Sequence, residues 1–464
     1  MERLCGRHLR LSKETPVATA DELTAHARRF ELLRVLFAAL GILVFTNGPS
    51  VFLAVRVVHT DLSFDGWAFT YPMRLVGLAS IGLLARTAFG SLDRMATFAV
   101  GAVFIYVAWS LASVTWSVVP EATGYRAPTL IGVAAFGLWY GIELDLREQL
   151  RATSYAGLVS VLASAMLVLF KPRWGGGYWD GERDIHYFGI FASTNSLGPV
   201  CVLAAVSFVA SAIGSTSIAT RIGWMVSTAV ATWLLIGTRS DTARVALALA
   251  LATTGLVVLA SMAQRRGASG RRVASVMAGV VCAVLVLAVW NFWTIARRLS
   301  SDGTLGGRRD IWGDVLHLVD DRPLRGFGYW AFWDQPEVAT LIASTQNSAH
   351  NGLLEVALGL GVFGVLLFAL TCGLAIVGIA RLVWQRRFDA LSCWWAVVLM
   401  ALLAFNVTES FVLWNSYVWA LLVAASVVGW RDQTRTERAL ALTESTTACG
   451  PISVSSSTSA RASS

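Results

Sequence analysis

The stretch Ser344–Gly364 reads STQNSAHNGLLEVALGLGVFG and changes character at its middle. Its first eight residues are small or polar and end in His350 and Asn351. An apolar run then begins and continues to Ala380. Such a run is long enough to cross the ~30 Å hydrocarbon core of a membrane as a helix. A histidine and an asparagine therefore lie immediately before the start of a predicted membrane helix.

Three glycines in this stretch, Gly359, Gly361 and Gly364, match the GxGxxG pattern of dinucleotide-binding proteins. That pattern needs a preceding strand and a turn that opens a helix. Here the glycines lie well inside an apolar helical run, where glycine usually permits close packing between helices. The sequence therefore predicts packing glycines, and no cofactor is expected.

The composition indicates a membrane protein. Of the 464 residues, 56% are hydrophobic and only 14% are charged, whereas a soluble domain carries roughly 25% charged residues. Apolar blocks of about 20 residues recur along most of the chain. We predict an all-α polytopic membrane protein with about twelve spanning helices, at Leu32–Val55, Phe69–Phe89, Met95–Trp116, Ala127–Leu144, Thr153–Phe170, Tyr187–Ile213, Ile222–Ile236, Ala243–Met262, Val273–Ile295, Gly352–Ala380, Leu391–Val407 and Phe411–Trp430.

The net charge of +8 comes mainly from arginines in the tails and in alternate predicted loops. Since cytoplasmic loops carry an excess of Lys and Arg, this distribution predicts that both termini are cytoplasmic. No dense basic run stands beside exposed aromatics, so nucleic acid is not an expected partner. The predicted order is a cytoplasmic tail (1–30), nine helices (31–295), a long outer loop (296–350), three helices (351–430) and a disordered cytoplasmic tail (431–464).

The long outer loop contains a helical pattern of its own after Gly306-Gly307, which predicts a short helix along the membrane surface. Its apolar positions are Ile311, Trp312, Val315, Leu316 and Val319. Arg308 and Arg309 stand near the predicted start of this helix. A helix N-terminus with arginine side chains suits a phosphate or pyrophosphate.

A second pair of arginines lies in IGTRSDTARVALALA, between two predicted spans. Arg239 and Arg244 are candidates for pyrophosphate binding, because ionisable residues at membrane depth are costly and usually functional. The alternative, a surface turn in which one of them pairs with Asp241, is equally compatible with the sequence.

Four polar residues at the outer ends of spans complete the candidate site. His350 can take a proton from a sugar hydroxyl, or it can simply cap the tenth helix. Asn351 adjoins it as a candidate glycan ligand. Asn195 and Glu409 are further candidates, although the first can be a polar cap and the second an interfacial carboxylate. No motif predicts a metal site.

Taken together, these segments resemble the superfamily of O-antigen ligases and polymerases, most closely its exopolysaccharide-polymerase branch. The resemblance spans 187–415 and rests on the order of motifs. They are Gly189-Ile190-Phe191 with Asn195, Thr238–Thr242, Gly307-Arg308-Arg309-Asp310-Ile311-Trp312, Pro323-Leu324-Arg325-Gly326-Phe327-Gly328, His350-Asn351 with Leu353 and Gly359, and Asn406–Glu409. One departure is Asp241, where the family usually has a basic residue.

The resemblance implies a GT-C-like fold in a bacterial inner membrane, with no nucleotide-sugar site and no required metal. The expected donor is a glycan on undecaprenyl diphosphate, used on the periplasmic or outer face to build surface polysaccharide. The family's catalytic histidine falls on His350, and its pyrophosphate-binding arginines fall on Arg308 and on the turn around Arg239. The expected partners are a glycan or lipid acceptor, the lipid bilayer and a chain-length regulator.

A transporter or a flippase of lipid-linked glycans is the main alternative to an inverting glycosyltransferase. Such a protein needs charges or broken helices near the bilayer midplane. The polar residues of this sequence are instead concentrated in one outer loop, and only Arg74 stands well inside a predicted span. The motifs do not separate a polymerase from a ligase.

Overall fold

The computed structural model describes residues 20–58, 67–87, 92–178, 185–265, 308–338, 342, 348–411 and 415–431. The predicted span Val273–Ile295, the first part of the outer loop and most of both tails lie outside these residues. So do the side chains of 20–27, 56, 67, 258, 260–265 and 308–310. One compact unit comprises 35–432, and the site described below lies within it. The other comprises 1–34 and 433–464, of which 20–34 are described and helical.

The described chain is mostly helical, with one two-stranded sheet. Its α-helices are α1 (Ala20–Phe45), α2 (Gly48–Val51), α3 (Trp67–Leu84), α4 (Arg94–Ala112), α5 (Pro120–Glu143), α6 (Leu146–Phe170), α7 (Pro172–Gly175), α8 (Thr194–Gly214), α9 (Ile218–Thr238), α10 (Asp241–Arg265), α11 (Arg308–Asp321), α12 (Gly352–Gln385), α13 (Ala390–Thr408) and α14 (Tyr417–Val428). A π-helical turn, Phe52–Val57, follows α2, and 3₁₀ turns occupy Ser113–Thr115 and Phe332–Asp334. Strands β1 (Gly176–Tyr178) and β2 (Ile185–Tyr187) pair antiparallel, with Gly177 opposite His186.

Six of the described helices are long and apolar enough to cross a membrane, namely α4 with its 3₁₀ turn, α6, α8, α9, α12 and α13. A seventh span arises if the pair Arg28–Phe45 and Gly48–Val55, bent by 57°, is counted as one. The chain is therefore an all-α polytopic membrane protein in its described part. Eleven of the twelve predicted spans coincide with described helices, and the total number of spans stays a prediction.

Two of the predicted spans begin at residues that are not helical in the structure. Helix α8 begins at Thr194 rather than at Tyr187, because Tyr187 belongs to β2 and Gly189 turns the chain with a φ of 58°. Helix α14 begins at Tyr417 rather than at Phe411, since the preceding Asn415 has a left-handed φ of 49°.

The bundle is built around α14, all of whose residues are buried. A helix that is apolar on every face belongs in such a position. Close packing of α3 on α5 depends on Gly77 and Gly132: a Cβ at Gly77 would stand 2.5 Å from the Gly132 Cα atom. Small residues at such crossings are typical of helices packed in lipid.

Helix α12 is not continuous, contrary to the sequence-based interpretation of its glycines. Gly361 has φ 65° and ψ −164°, which interrupts the helix within the apolar run. The segment Pro323–Gly328 docks against this break. Phe327 N donates to Leu358 O (2.8 Å), Gly328 N to Gly359 O (2.9 Å), and Val362 N to Pro323 O (2.8 Å). The break thus has backbone partners, as an interior without water requires.

Helix α4 supplies a further partner to the break. The indole Nε1 of Trp109 donates to Leu360 O at 3.1 Å, and Trp116 Nε1 donates to Arg325 O at 2.9 Å. The docked segment is therefore held between α4 and α12. Gly359 and Gly361 of GxGxxG thus belong to a main-chain junction between a membrane helix and the segment Pro323–Gly328.

The next part of the loop is anchored to α5 and to the turn before α14. Arg126 pairs with Asp334, and its guanidinium lies 4.7 Å from the Trp330 ring centroid. The Tyr329 hydroxyl donates to Asn415 Oδ1 at 3.1 Å. Burial raises the pKa of Tyr329, so the phenol stays protonated and remains a donor at neutral pH.

A helix is present at the predicted place as α11, and its residues Ile311, Trp312 and Val315 are buried. They pack on Phe327, Phe332 and Leu358 in a small separate core. Leu316, another position of the predicted apolar pattern, is exposed in the structure, whereas Leu318 is buried.

We expect Gly361→Ala to lower the free energy of unfolding by at least about 1–3 kcal/mol, because its backbone conformation suits glycine alone. A Cβ there would also stand 2.4 Å from the Leu324 carbonyl carbon. Gly373→Ala in the same helix is the matched control, since its Cβ meets nothing within 4 Å. Denaturation in detergent measures both, and equal effects would contradict the main-chain junction.

Candidate active site

His350 and Glu409 form the centre of the candidate site. His350 Nδ1 lies 2.9 Å from Glu409 Oε2, and the two side chains are 18% and 6% exposed. His350 precedes α12, and Glu409 directly follows α13. An imidazole that is partly exposed and held by a buried carboxylate is the arrangement used for proton transfer.

Asn351, and not His350, caps α12. Asn351 Oδ1 accepts from Leu353 N (3.0 Å) and Leu354 N (3.1 Å), the usual work of an N-cap side chain. His350 has a left-handed φ of 48°, which turns its ring away from the helix axis and towards Glu409. The interpretation of His350 as a helix cap was therefore wrong.

The segment after His350 interlocks with the end of α13. Asn351 Nδ2 donates to Val407 O at 3.1 Å. Gly352 faces Asn406, whose Oδ1 would stand 2.7 Å from a Cβ at Gly352. The two motifs, His350-Asn351 and Asn406–Glu409, thus meet along their length.

The turn between α9 and α10 joins the same end of the bundle. Thr408 Oγ1 donates to Thr242 Oγ1 at 2.8 Å, and Thr242 Oγ1 lies 3.5 Å from Glu409 Oε1. Ser240 Oγ donates to Asn195 Oδ1 at 2.7 Å. Asn195 is not the cap of α8, a role that Ser193 takes. Four motifs that are distant in sequence therefore lie together.

The four candidate arginines differ in their exposure, in their ion pairing and in whether the structure describes their side chains. Arg244 is exposed and pairs with Asp241 at 3.0 Å, as the surface-turn alternative predicted. Arg239 ends α9 with a left-handed φ of 52° and is exposed. Arg308 and Arg309 begin α11, but their side chains lie outside the described part of the structure.

Sequence reasoning missed Glu355 and its partner Trp333. Glu355 lies in the first turn of α12 and is 3% exposed, and Trp333 Nε1 donates to its Oε2 at 3.0 Å. The signal was present: a carboxylate inside an apolar membrane helix is a functional candidate by default. Among the described residues, no three His, Cys, Asp or Glu side chains are grouped closely enough to hold a metal ion.

The sequence also matches a known protein family. Residues 207–369 match the O-antigen ligase family. The matched segment contains the turn at 238–242, the start of α11, His350 and the break in α12, and it covers less than half of the chain. It confirms the resemblance to the O-antigen ligase and polymerase superfamily. No curated protein matches the sequence significantly.

The O-antigen ligase match supports a membrane enzyme that processes glycans, of the glycosyltransferase-like ligase or polymerase type. Asn195 and Glu409 lie outside the matched residues but contact Ser240 and His350 within them. The candidate site is therefore larger than the matched segment.

We expect Thr242→Val to destabilise the fold by about 1–3 kcal/mol, because Thr408 loses its buried hydrogen-bond acceptor. Thr253→Val is the matched control on α10, since its hydroxyl contacts only Leu249 O of its own helix among the hydrogen bonds described. That control should change stability by no more than about 0.5 kcal/mol. Denaturation in detergent compares the two, and a control as harmful as Thr242→Val would argue against the polar contact.

Proposed function

We propose that the protein is a membrane glycosyltransferase that polymerises or ligates glycan units carried on undecaprenyl diphosphate, in the biosynthesis of surface polysaccharide. The observation that carries the proposal is the contact between His350 Nδ1 and Glu409 Oε2. It stands at a meeting point of the superfamily's motifs. The residues that form it come from two helix ends that are far apart in sequence.

In the proposed reaction, a hydroxyl of the acceptor attacks C1 of the donor sugar. The bond from C1 to the phosphate oxygen breaks, and its electron pair leaves on the lipid diphosphate. The hydroxyl proton passes to Nε2 of His350, while Glu409 holds Nδ1 and stabilises the imidazolium that forms. A single displacement of this kind inverts the configuration at C1. The proposal requires no metal ion and no other cofactor.

The leaving diphosphate is assigned to arginines around the same end of the bundle. Position 308 is one turn before Trp312 on α11, and Trp312 Nε1 donates to Ala349 O, next to His350. This supports Arg308 as the first diphosphate ligand, with Arg309 beside it. Arg239 stands three residues before Thr242 and is the next candidate, whereas the ion pair with Asp241 makes Arg244 the weakest.

The site is proposed to face the periplasm. His350 precedes α12, while Arg381, Arg386 and Arg387 stand at the other end of this 34-residue helix. The continuous part of α12 after the break, 362–385, is about 36 Å long, enough to cross the ~30 Å hydrocarbon core. Since basic residues favour the cytoplasmic side, the site would lie at the outer face of the bacterial inner membrane. This placement requires the rest of the predicted topology, with twelve spans, an outer loop at 296–350 and both termini in the cytoplasm.

The remaining candidate ligands are assigned to the glycans. Asn351 and Asn195 would contact the donor or acceptor sugars, whereas Glu409 is reassigned from a glycan ligand to the partner of His350. A chain-length regulator is a proposed partner if the enzyme is a polymerase. A ligase would instead take a lipid acceptor.

We expect His350→Ala to abolish lengthening or transfer of a lipid-linked glycan while the protein remains in the membrane. His317→Ala is the matched control, because His317 is exposed on α11 and should be dispensable. Reconstituted protein with a lipid-linked glycan measures product in both variants. Normal product from His350→Ala would remove the proposed base.

We expect Glu409→Gln to lower kcat about tenfold or more without changing KM, because the amide cannot stabilise the imidazolium as a carboxylate does. Glu121→Gln, at an exposed position at the start of α5, controls for the loss of one carboxylate. If the loss appeared in KM alone, Glu409 would be a glycan ligand rather than the partner of His350.

The same reconstituted system separates an enzyme from a flippase. An enzyme changes the length or the acceptor of the glycan without an ion gradient, whereas a flippase changes only its leaflet.

Arg74, the charged residue inside a predicted span, already has partners within the fold. It donates to Tyr125 O at 2.8 Å and lies 4.8 Å from the Tyr125 ring centroid.

A further inference from the structure

Glu355 is a deeply buried carboxylate that the proposed mechanism does not use. Glu355 lies in the first turn of α12 and is 3% exposed. Moving a carboxylate out of water is costly unless hydrogen bonds replace its solvation. A leucine at this position would match the neighbouring apolar residues, so the function of Glu355 should follow from its partners.

The Glu355 carboxylate accepts hydrogen bonds from three separate segments. Ala349 N and Ser410 Oγ donate to Oε1, the latter at 3.1 Å, and Trp333 Nε1 donates to Oε2 at 3.0 Å. These donors belong to the residue pair just before α12, the chain directly after α13 and the 3₁₀ turn Phe332–Asp334.

Two of the three donors adjoin the residues proposed to carry the reaction. Ala349 directly precedes His350, and Ser410 directly follows Glu409. One carboxylate thus holds the neighbours of both the imidazole and its partner. Through these two neighbours it holds the separation of His350 and Glu409 by way of the backbone.

The peptide before His350 is held on both sides. Ala349 N donates to Glu355, and Ala349 O accepts from Trp312 Nε1 at 2.7 Å. The next residue, His350, has a left-handed φ of 48°. Such a conformation costs on the order of 1–3 kcal/mol and persists only where the surroundings impose it. The bond from Ala349 to Glu355 is a principal part of those surroundings.

We propose that Glu355 is a positioning residue for glycan transfer, which sets the geometry between His350 and Glu409 and ties it to the outer loop through Trp333. The inference rests on the proposed function, because it assigns a role to Glu355 in that reaction. It predicts that the reach of the side chain, rather than its charge, is what the reaction needs.

Three substitutions at one position separate reach from charge. Glu355→Gln keeps an oxygen at the right distance for Ala349 N and Ser410. Glu355→Asp keeps the charge but is one methylene too short, and Glu355→Leu removes both. The expected order of kcat is wild type, then Gln, then Asp and Leu, with a fall of about 10²-fold for Leu. KM should change little, because Glu355 is not proposed to contact either the donor glycan or the acceptor molecule.

Two milder variants test the same network where Glu355→Leu fails to fold. Trp333→Phe removes only the donor to Oε2, and Ser410→Ala removes one donor to Oε1. Each should lower kcat severalfold in protein that still folds and reaches the membrane at normal levels, because only one hydrogen bond to the carboxylate is lost in each. Trp333→Phe should cause no further loss in the Glu355→Gln background, because the glutamine amide has no acceptor to offer to the indole.

The inference is overturned if Asp supports a higher kcat than Gln, since charge would then matter more than reach. It is also overturned if the loss lies in KM, or if Trp333→Phe is equally harmful in both backgrounds. His350→Ala, measured in the same assay, distinguishes failure of the positioning role from failure of the proposed function. A dead His350→Ala with fully active Glu355 and Trp333 variants removes only the positioning role. A fully active His350→Ala removes the proposed function itself.

Discussion

The hydrogen bond between His350 and Glu409 joins the start of one membrane helix to the end of the next. Both groups are polar, and Glu409 is almost fully buried, so each needs its partner in place. The neighbouring contacts follow from this requirement. Asn351 caps α12 and bonds to Val407 O, while Thr242 lies against Thr408 and Glu409. The site is thus a property of how three helix ends meet.

The break at Gly361 allows the segment Pro323–Gly328 to bond to α12 near that meeting point. A helix of unbroken hydrogen bonds would present no backbone groups to a neighbouring chain. The interruption exposes the carbonyls of Leu358, Gly359 and Leu360, and the docked segment and Trp109 satisfy them. Because unsatisfied backbone groups are so costly in a membrane interior, separating the two segments would be unfavourable. The junction fixes the loop that carries Trp333 and α11 onto the helix that begins beside His350.

Hydropathy predicted most of the helices because each spanning segment must be apolar over its length. Helix α13 differs from its prediction by one residue at each end, and α12 begins where the polar stretch ends. Local turns were harder. The left-handed Asn415 delays the start of α14. Asparagine adopts positive φ more readily than most residues, but it is also a preferred helix N-cap, so the residue type alone does not predict the turn.

The sequence indicated the residues of the candidate site better than it indicated the hydrogen bonds between them. The order of motifs identified His350, Asn195 and Glu409, but not that Glu409 would bond to the imidazole or that Asn195 would bond to Ser240. Such pairings depend on tertiary packing between segments far apart in sequence. The same holds for the glycines of α12, where a packing glycine and a helix break look alike. Only the partner segment Pro323–Gly328 decides between them.

The most direct test of this account is a structure of the protein in a lipid bilayer with an undecaprenyl-diphosphate-linked glycan bound. The account predicts that the anomeric carbon lies beside His350, with room for an acceptor hydroxyl about 3–3.5 Å away. The diphosphate should lie towards the start of α11. A ligand bound at the opposite end of the bundle, with the His350 ring enclosed by protein alone, would contradict it.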